Sequence, residues 1–126
     1  DFQQRYAAPA LVSGEDSAKF VASLKILMEE KQVFLNPDLN LEGLAAEMNM
    51  PGYQLSRLIN EHFNKSFFEL LNFYRIEEVK KRLKDPRYNS FSILGVAMDV
   101  GFNSKSSFNT AFKKLTGKTP SEFRKQ

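Results

Sequence analysis

The sequence predicts an all-α fold: two helix-turn-helix subdomains joined by a long linker helix, about seven helices in all. Three observations carry that prediction. Apolar residues recur at the helical spacing i, i+3, i+4, i+7 along most of the chain, and no segment shows the strict alternation of a half-buried strand. The stretch from Val96 to Arg124 is punctuated as two helices around a tight corner. The same punctuation occurs earlier, between Leu44 and Leu70.

Taken in order, residues 1–16 read as a linker or arm of a longer protein, since Asp1 to Ser13 has no sustained period and the chain opens without Met. Asp16 or Ser17 can cap a first helix over Ala18 to Lys31, with Phe20, Val21, Leu24, Leu27 and Met28 as its apolar stripe. Asn36-Pro37-Asp38 makes a turn. Asn40 then caps a support helix, Leu41 to Met48, with Glu42 favourably placed in its first turn. A recognition helix follows over residues 52–63: Leu55, Leu58 and Ile59 face inward, and Tyr53, Gln54, Ser56, Arg57 and Asn60 point out. Ser66 to Lys84 is a strut of about 28 Å, with Phe67, Leu70, Leu71, Tyr74, Val79 and Leu83 on its buried side. Its basic end, Lys80-Lys81-Arg82-Lys84, complements the helix dipole, and Asp85-Pro86 stops it. Ser92 caps a second support helix, Ile93 to Val100. Gly101 ends that helix in the left-handed conformation, and Phe102 follows as a hydrophobic plug. Asn103 or Ser104 caps the second recognition helix, about 104–115, with Phe108, Ala111, Phe112 and Leu115 inward. Thr116-Gly117 stops it, and Thr119-Pro120 starts a last helix with Pro in its first turn.

The two stretches align as a repeat. Ala45, Met48, Asn49 and Met50 correspond to Ala97, Val100, Gly101 and Phe102. After one extra residue in the later turn, Leu55, Leu58, Ile59 and Asn64 correspond to Phe108, Ala111, Phe112 and Gly117. Asn stands for Gly at both helix-ending positions, and Asn is the next-best residue for left-handed backbone.

Composition narrows the function. A chain of 126 residues, 42% hydrophobic and with twelve Phe, can bury a single core. It has no Cys, which fits a reducing compartment, and no apolar run approaches a membrane span or forms a signal peptide. Residues 1–50 carry four basic and eight acidic residues, and residues 51–126 carry fourteen basic and seven acidic, so the basic half holds both recognition helices. Thr116-Gly117-Lys118-Thr119 lacks the earlier Gly of a phosphate-binding loop, since Phe112 stands there. His62, the only histidine, has no metal-ligand company. No catalytic residue, metal or cofactor is expected.

The outward faces suit double-stranded DNA. On the second recognition helix Lys105, Ser106, Ser107, Asn109, Thr110 and Lys113 are short, hydrogen-bonding or cationic, and none is acidic. Base-reading candidates are Tyr53, Gln54, Ser56, Arg57, Asn60, Lys105, Ser106, Ser107, Asn109 and Thr110. Phosphate candidates are Asn40, Ser92, Ser104 and Lys113, the first two standing at helix N-termini that can hold an anion. Arg57 is the strongest of these, because a guanidinium can bridge guanine O6 and N7. The alternative is that it pairs with Glu61 across the helix surface. Gln54 and Asn60 could read adenine or hold phosphate. A competing reading is a helical module that binds an acidic protein. That module would expose an apolar stripe at these positions, where only Tyr53 obliges.

The later copy resembles the second helix-turn-helix of the AraC/XylS family of transcription regulators, through Ala97, Gly101-Phe102, Ser104, Ser107-Phe108, Phe112-Lys113-Lys114, Gly117 and Thr119-Pro120-Ser121-Glu122-Phe123-Arg124. The earlier copy resembles the family's first unit through Leu44-Ala45, Leu55-Ser56-Arg57-Leu58 and Asn72-Phe73-Tyr74-Arg75-Ile76. The resemblance covers roughly Leu39 to Arg124, with Asn64 for the common Gly and Pro51-Gly52 for the usual Ser-Pro as departures. It implies subdomains at 17–84 and 85–126, and recognition helices entering successive major grooves about one DNA turn, roughly 34 Å, apart. It further implies a cytoplasmic, nucleoid-associated bacterial regulator, RNA polymerase as a further partner, and a sensing and dimerising portion N-terminal to this stretch.

Overall fold

The computed structural model describes residues 14–126; the expected arm over 1–13 lies outside them. Among the described residues there are seven α-helices and no strand. They are α1 (Gly14–Lys25), α2 (Leu41–Glu47), α3 (Gly52–Phe63), α4 (Phe67–Leu83), α5 (Ile93–Asp99), α6 (Lys105–Thr116) and α7 (Pro120–Lys125). A π-helical turn, Ile26–Glu30, prolongs α1, and 3₁₀ turns occupy Val33–Leu35 and Pro86–Tyr88.

Internal packing divides the described residues into two units, 14–32 with 40–68 and 33–39 with 69–126. All but the first two residues of α4 therefore pack with the second unit, as does the strap 33–39, whereas the motifs alone suggest a division after residue 84. The first helix also begins earlier than its stripe suggests. Gly14 and Asp16 are already helical, and Asp16 and Ser17 lie inside α1 rather than capping it. Ser17 is buried, while Phe20, Val21 and Leu27 are only half-buried around Leu24 and Met28.

The repeat is visible in the backbone. Asn49 and Gly101 have φ of 56° and 112°, and Asn64 and Gly117 have φ of 54° and 76°. After each support helix the chain closes with the same bond, Met50 N–H to Ala45 O at 3.0 Å and Phe102 N–H to Ala97 O at 3.1 Å. This bond closes the helix end onto one of its last carbonyls, which in the first unit also accepts from Met48 N–H. Met50 and Phe102 are then buried as plugs. At α3 and α6 the inward trios, Leu55, Leu58, Ile59 and Phe108, Ala111, Phe112, are all buried. Replacing Asn64 by Ala should cost about 1–2 kcal/mol, the usual penalty of left-handed backbone for a residue without the short polar side chain by which Asn tolerates it. Asn64→Gly should leave stability unchanged or slightly raised; urea denaturation of the three proteins tests the pair.

The first unit buries Leu24, Met28, Leu44, Ala45, Met48, Met50, Leu55, Leu58, Ile59 and Phe67. The second is built on an edge-to-face string of rings: Phe102–Phe108 at 5.3 Å, Phe108–Phe112 at 5.8 Å and Phe112–Phe123 at 5.6 Å. Leu115 is 43% exposed rather than inward, because it lies in the last turn of α6, beyond this ring cluster. Around the strap, Arg75 is almost fully buried. Its Nε donates to Phe34 O at 2.8 Å and an Nη to Asn36 O at 2.9 Å. A Cβ on Gly101 would lie 2.5 Å from that same Phe34 oxygen, so close approach as well as φ requires glycine there.

Candidate nucleic-acid interface

Each recognition helix is positioned by its support helix and by what caps it. In the second unit Ser92 caps α5, its Oγ accepting from Gly95 N–H at 2.9 Å. Ser104, rather than Asn103, caps α6, accepting from Ser107 N–H at 3.1 Å. The Ser107 hydroxyl turns back onto Ser104 O at 3.2 Å, so both serines are engaged in the cap. Asn103 instead donates from its side-chain amide to Pro37 O at 3.0 Å, which ties the turn to the strap. Thr119 and Glu122 form a reciprocal capping box on α7. The Thr119 backbone N–H, the Thr119 hydroxyl bond and then Lys113 and Lys118 hold the Glu122 carboxyl below its usual range.

In the first unit Asn40 caps α2 by accepting from Gly43 N–H at 2.7 Å. Pro51 stands at the cap position of α3 and supplies no side-chain bond. The Glu42 carboxylate lies over the start of α3 instead, close enough that a Cβ on Gly52 would collide with it. Its negative charge suits a helix N-terminus, and the Pro51-Gly52 departure thus comes with a compensating acid.

The structure places the candidates on both helices as follows. On α6, Lys105, Ser106, Ser107, Asn109, Thr110 and Lys113 are all exposed. Lys105, Asn109 and Lys113, spaced by four, line one groove of about 550 Å³ with Ile93, Leu94 and Pro120. On α3, Ser56, Arg57 and Asn60 are exposed, but Tyr53 and Gln54 are half-buried rather than pointing fully outward. Gln54 lines a shallow notch with Ser17 and Phe20, because α1 lies alongside it. Arg57 Nε donates to Glu61 Oε1 at 2.7 Å, the intrahelical pair weighed above. Asn40, Ser92 and Ser104 use their side chains as caps, so an anion there would meet backbone N–H groups rather than those side chains.

Three of the four cations of the basic run at the end of α4 are engaged within the chain. Lys80 pairs with Glu77 and Arg82 with Glu78, each at 2.8 Å, and Lys84 donates to Gln126 O at 2.6 Å. None of the large exposed hydrophobics among the described residues (Ile26, Phe68, Phe73, Phe91, Leu94, Met98, Leu115) is a candidate reading residue. The outward face of α6 is therefore polar and cationic and that of α3 polar, which suits nucleic acid and does not suit a hydrophobic docking groove. Sequence reasoning missed Arg75, which holds the strap that in turn holds Asn103. Its register was a usable signal: it lies four residues from both Leu71 and Val79, on the apolar face.

Two helix-turn-helix units with polar outward faces, cationic on the second, define a DNA-binding domain, the output module of a transcription regulator. The comparisons agree. A family model described as a helix-turn-helix domain, of the AraC type, matches residues 44–126. The transcriptional regulatory protein YesN of Bacillus subtilis is 34% identical over 94 residues, which cover 72% of this chain and 25% of YesN. The Msm operon regulatory protein of Streptococcus mutans is 30% identical over 88 residues, 70% of this chain and 31% of that protein. This chain thus spans about a quarter to a third of the length of these two relatives. The C-terminal domain of AraT, a response regulator from Geobacillus stearothermophilus, superposes with a TM-score of 0.72 at 29% identity, covering 90% of this chain and 86% of that one. An AraC-type regulator from Chromobacterium violaceum has the same fold, with a TM-score of 0.68 at 21% identity over 84% of this chain and 95% of that one. The chain belongs to the AraC-type helix-turn-helix family.

Proposed function

We propose that α3 and α6 both read bases of double-stranded DNA in the major groove, and that the exposed polar residues of each are the contacts. On α3 these are Ser56, Arg57 and Asn60, with Tyr53 and Gln54 at the margin. On α6 they are Lys105, Ser106, Asn109 and Thr110, with Ser107 beside the cap. Lys113 and the N-termini of α2, α5 and α6, at Asn40, Ser92 and Ser104, hold phosphate. The observation that carries this reading is the structural equivalence of α3 and α6 in the repeat, each with its inward trio buried and a polar face left to solvent.

The whole regulator acts in the bacterial cytoplasm on nucleoid DNA, engages RNA polymerase, and dimerises through a portion outside this stretch. Among the described residues no helix is long and apolar enough to cross a membrane. The test is selection of bound duplexes from a randomised pool at about 150 mM salt, which suppresses counterion-driven binding. Two short blocks of fixed sequence support reading by both helices, one block assigns reading to a single unit, and no enrichment overturns the proposal. Lys113→Ala should weaken all duplexes alike and lower the slope of log affinity against log salt by about one, measured by fluorescence anisotropy across a salt series.

A further inference from the structure

The two copies of the motif carry opposite charge. Residues 41–63 hold Glu42, Glu47 and Glu61 against Arg57 alone, a net of −2, and residues 93–116 hold Lys105, Lys113 and Lys114 against Asp99 alone, a net of +2. In the repeat Arg57 corresponds to Thr110 and Glu61 to Lys114, so the acid–base pair belongs to the first copy only. Arg57 is also the single cation of α3. Its partner Glu61 engages Nε, at 2.7 Å. A guanidinium has five N–H donors, so the two terminal nitrogens remain for an end-on, bidentate approach to guanine. Both members of the pair line a notch with Ser17, Phe20, Met50, Gln54 and Leu58.

We infer that Glu61 is a specificity-determining residue of the first unit, a positioning residue acting through Arg57. Its carboxylate holds the guanidinium by Nε with the terminal nitrogens outward, and its charge opposes capture of that guanidinium by whichever phosphate is nearest. The first unit then contributes discrimination with little phosphate affinity, and the lysines of α6 contribute the salt-sensitive affinity. This inference rests on Arg57 reading a base.

The test compares wild type, Arg57→Ala, Glu61→Gln and the double variant against the selected duplex and its single-base-pair substitutions, with thermal melts to check folding. Glu61 is half-exposed, so its substitution leaves the fold intact. Glu61→Gln should relax preference by roughly 3- to 10-fold at the base pair whose preference Arg57→Ala abolishes. The double variant should relax it no further than Arg57→Ala alone, since coupled residues are not additive. Mismatched duplexes should bind Glu61→Gln more tightly than wild type. If Glu61→Gln instead tightens every duplex by one common factor and leaves base preference unchanged, Glu61 only repels phosphate and the inference fails, while the Arg57 reading stands. If Arg57→Ala itself leaves the preference profile unchanged, both fail.

Discussion

Arg75→Ala is expected to lower the stability of the second unit by about 3–5 kcal/mol, because it removes two charge-assisted hydrogen bonds in largely buried surroundings. Arg75 is only 6% exposed, and its fork reaches across from α4 to two carbonyls of the strap, those of Phe34 and Asn36. The guanidinium also lies 5.9 Å from the Phe102 ring, where a cation is attracted to the aromatic face. Alanine removes both donors, leaves the Phe34 and Asn36 oxygens to find other partners, and opens space where the aliphatic stem packs. Burial lowers the Arg75 pKa to about 10, still well above neutrality, so the side chain is cationic at pH 7 and its bonds are charge-assisted. For a unit of this size 1 kcal/mol corresponds to about 4–8 °C, and the melting transition followed by circular dichroism should fall by more than ten degrees. Arg75→Lys keeps the charge but not the fork, so it should lose an intermediate amount. A variant melting within about 2 °C of wild type would show that the strap is held by the burial of Phe34 and the Asn103–Pro37 bond without Arg75.

That prediction also marks where the sequence stops being legible. The features fixed by local chemistry could be read directly: the four helix-ending positions at Asn49, Asn64, Gly101 and Gly117, the caps at Asn40 and Ser92, and the inward trios of α3 and α6 all depend on residues within one or two turns. What could not be read depends on partners far along the chain. The register of Arg75 places it on the apolar face, but nothing local says that the segment after Gln32 packs against α4, and so nothing local names its partners or the Phe34 oxygen that crowds Gly101. Gln54 reads as outward on its own helix, and only the neighbouring α1 half-covers it. Leu115 continues the apolar stripe in sequence but outruns the rings it would pack on. For the interface, the helices and their polar faces were legible. The engagement of Ser104 and Ser107 with each other was not, because a hydroxyl at a helix start serves a cap and a phosphate equally well.

Arg57→Ala should relax sequence preference at one base pair by about 1–3 kcal/mol, roughly 5- to 150-fold, with little effect elsewhere in the site. Its pair with Glu61 does not argue against this. Both side chains are about half exposed, at 45% and 54%, and an exposed i,i+4 pair stabilises by only about 0.3–0.5 kcal/mol. A bidentate contact to guanine is worth several times more, so binding can redirect the terminal nitrogens whether or not Nε keeps its carboxylate. The same comparison says that the variant should fold normally, its melting temperature shifting by no more than about 4 °C. Affinity profiles over all single-base-pair variants of the selected duplex distinguish the roles that remain. Loss confined to one base pair identifies base reading. An equal loss for every duplex, with a salt slope lower by about one, makes Arg57 a phosphate contact like Lys113. A profile identical to wild type in both shape and level removes Arg57 from the interface and leaves base reading on α3 to Ser56, Asn60 and the half-buried Gln54.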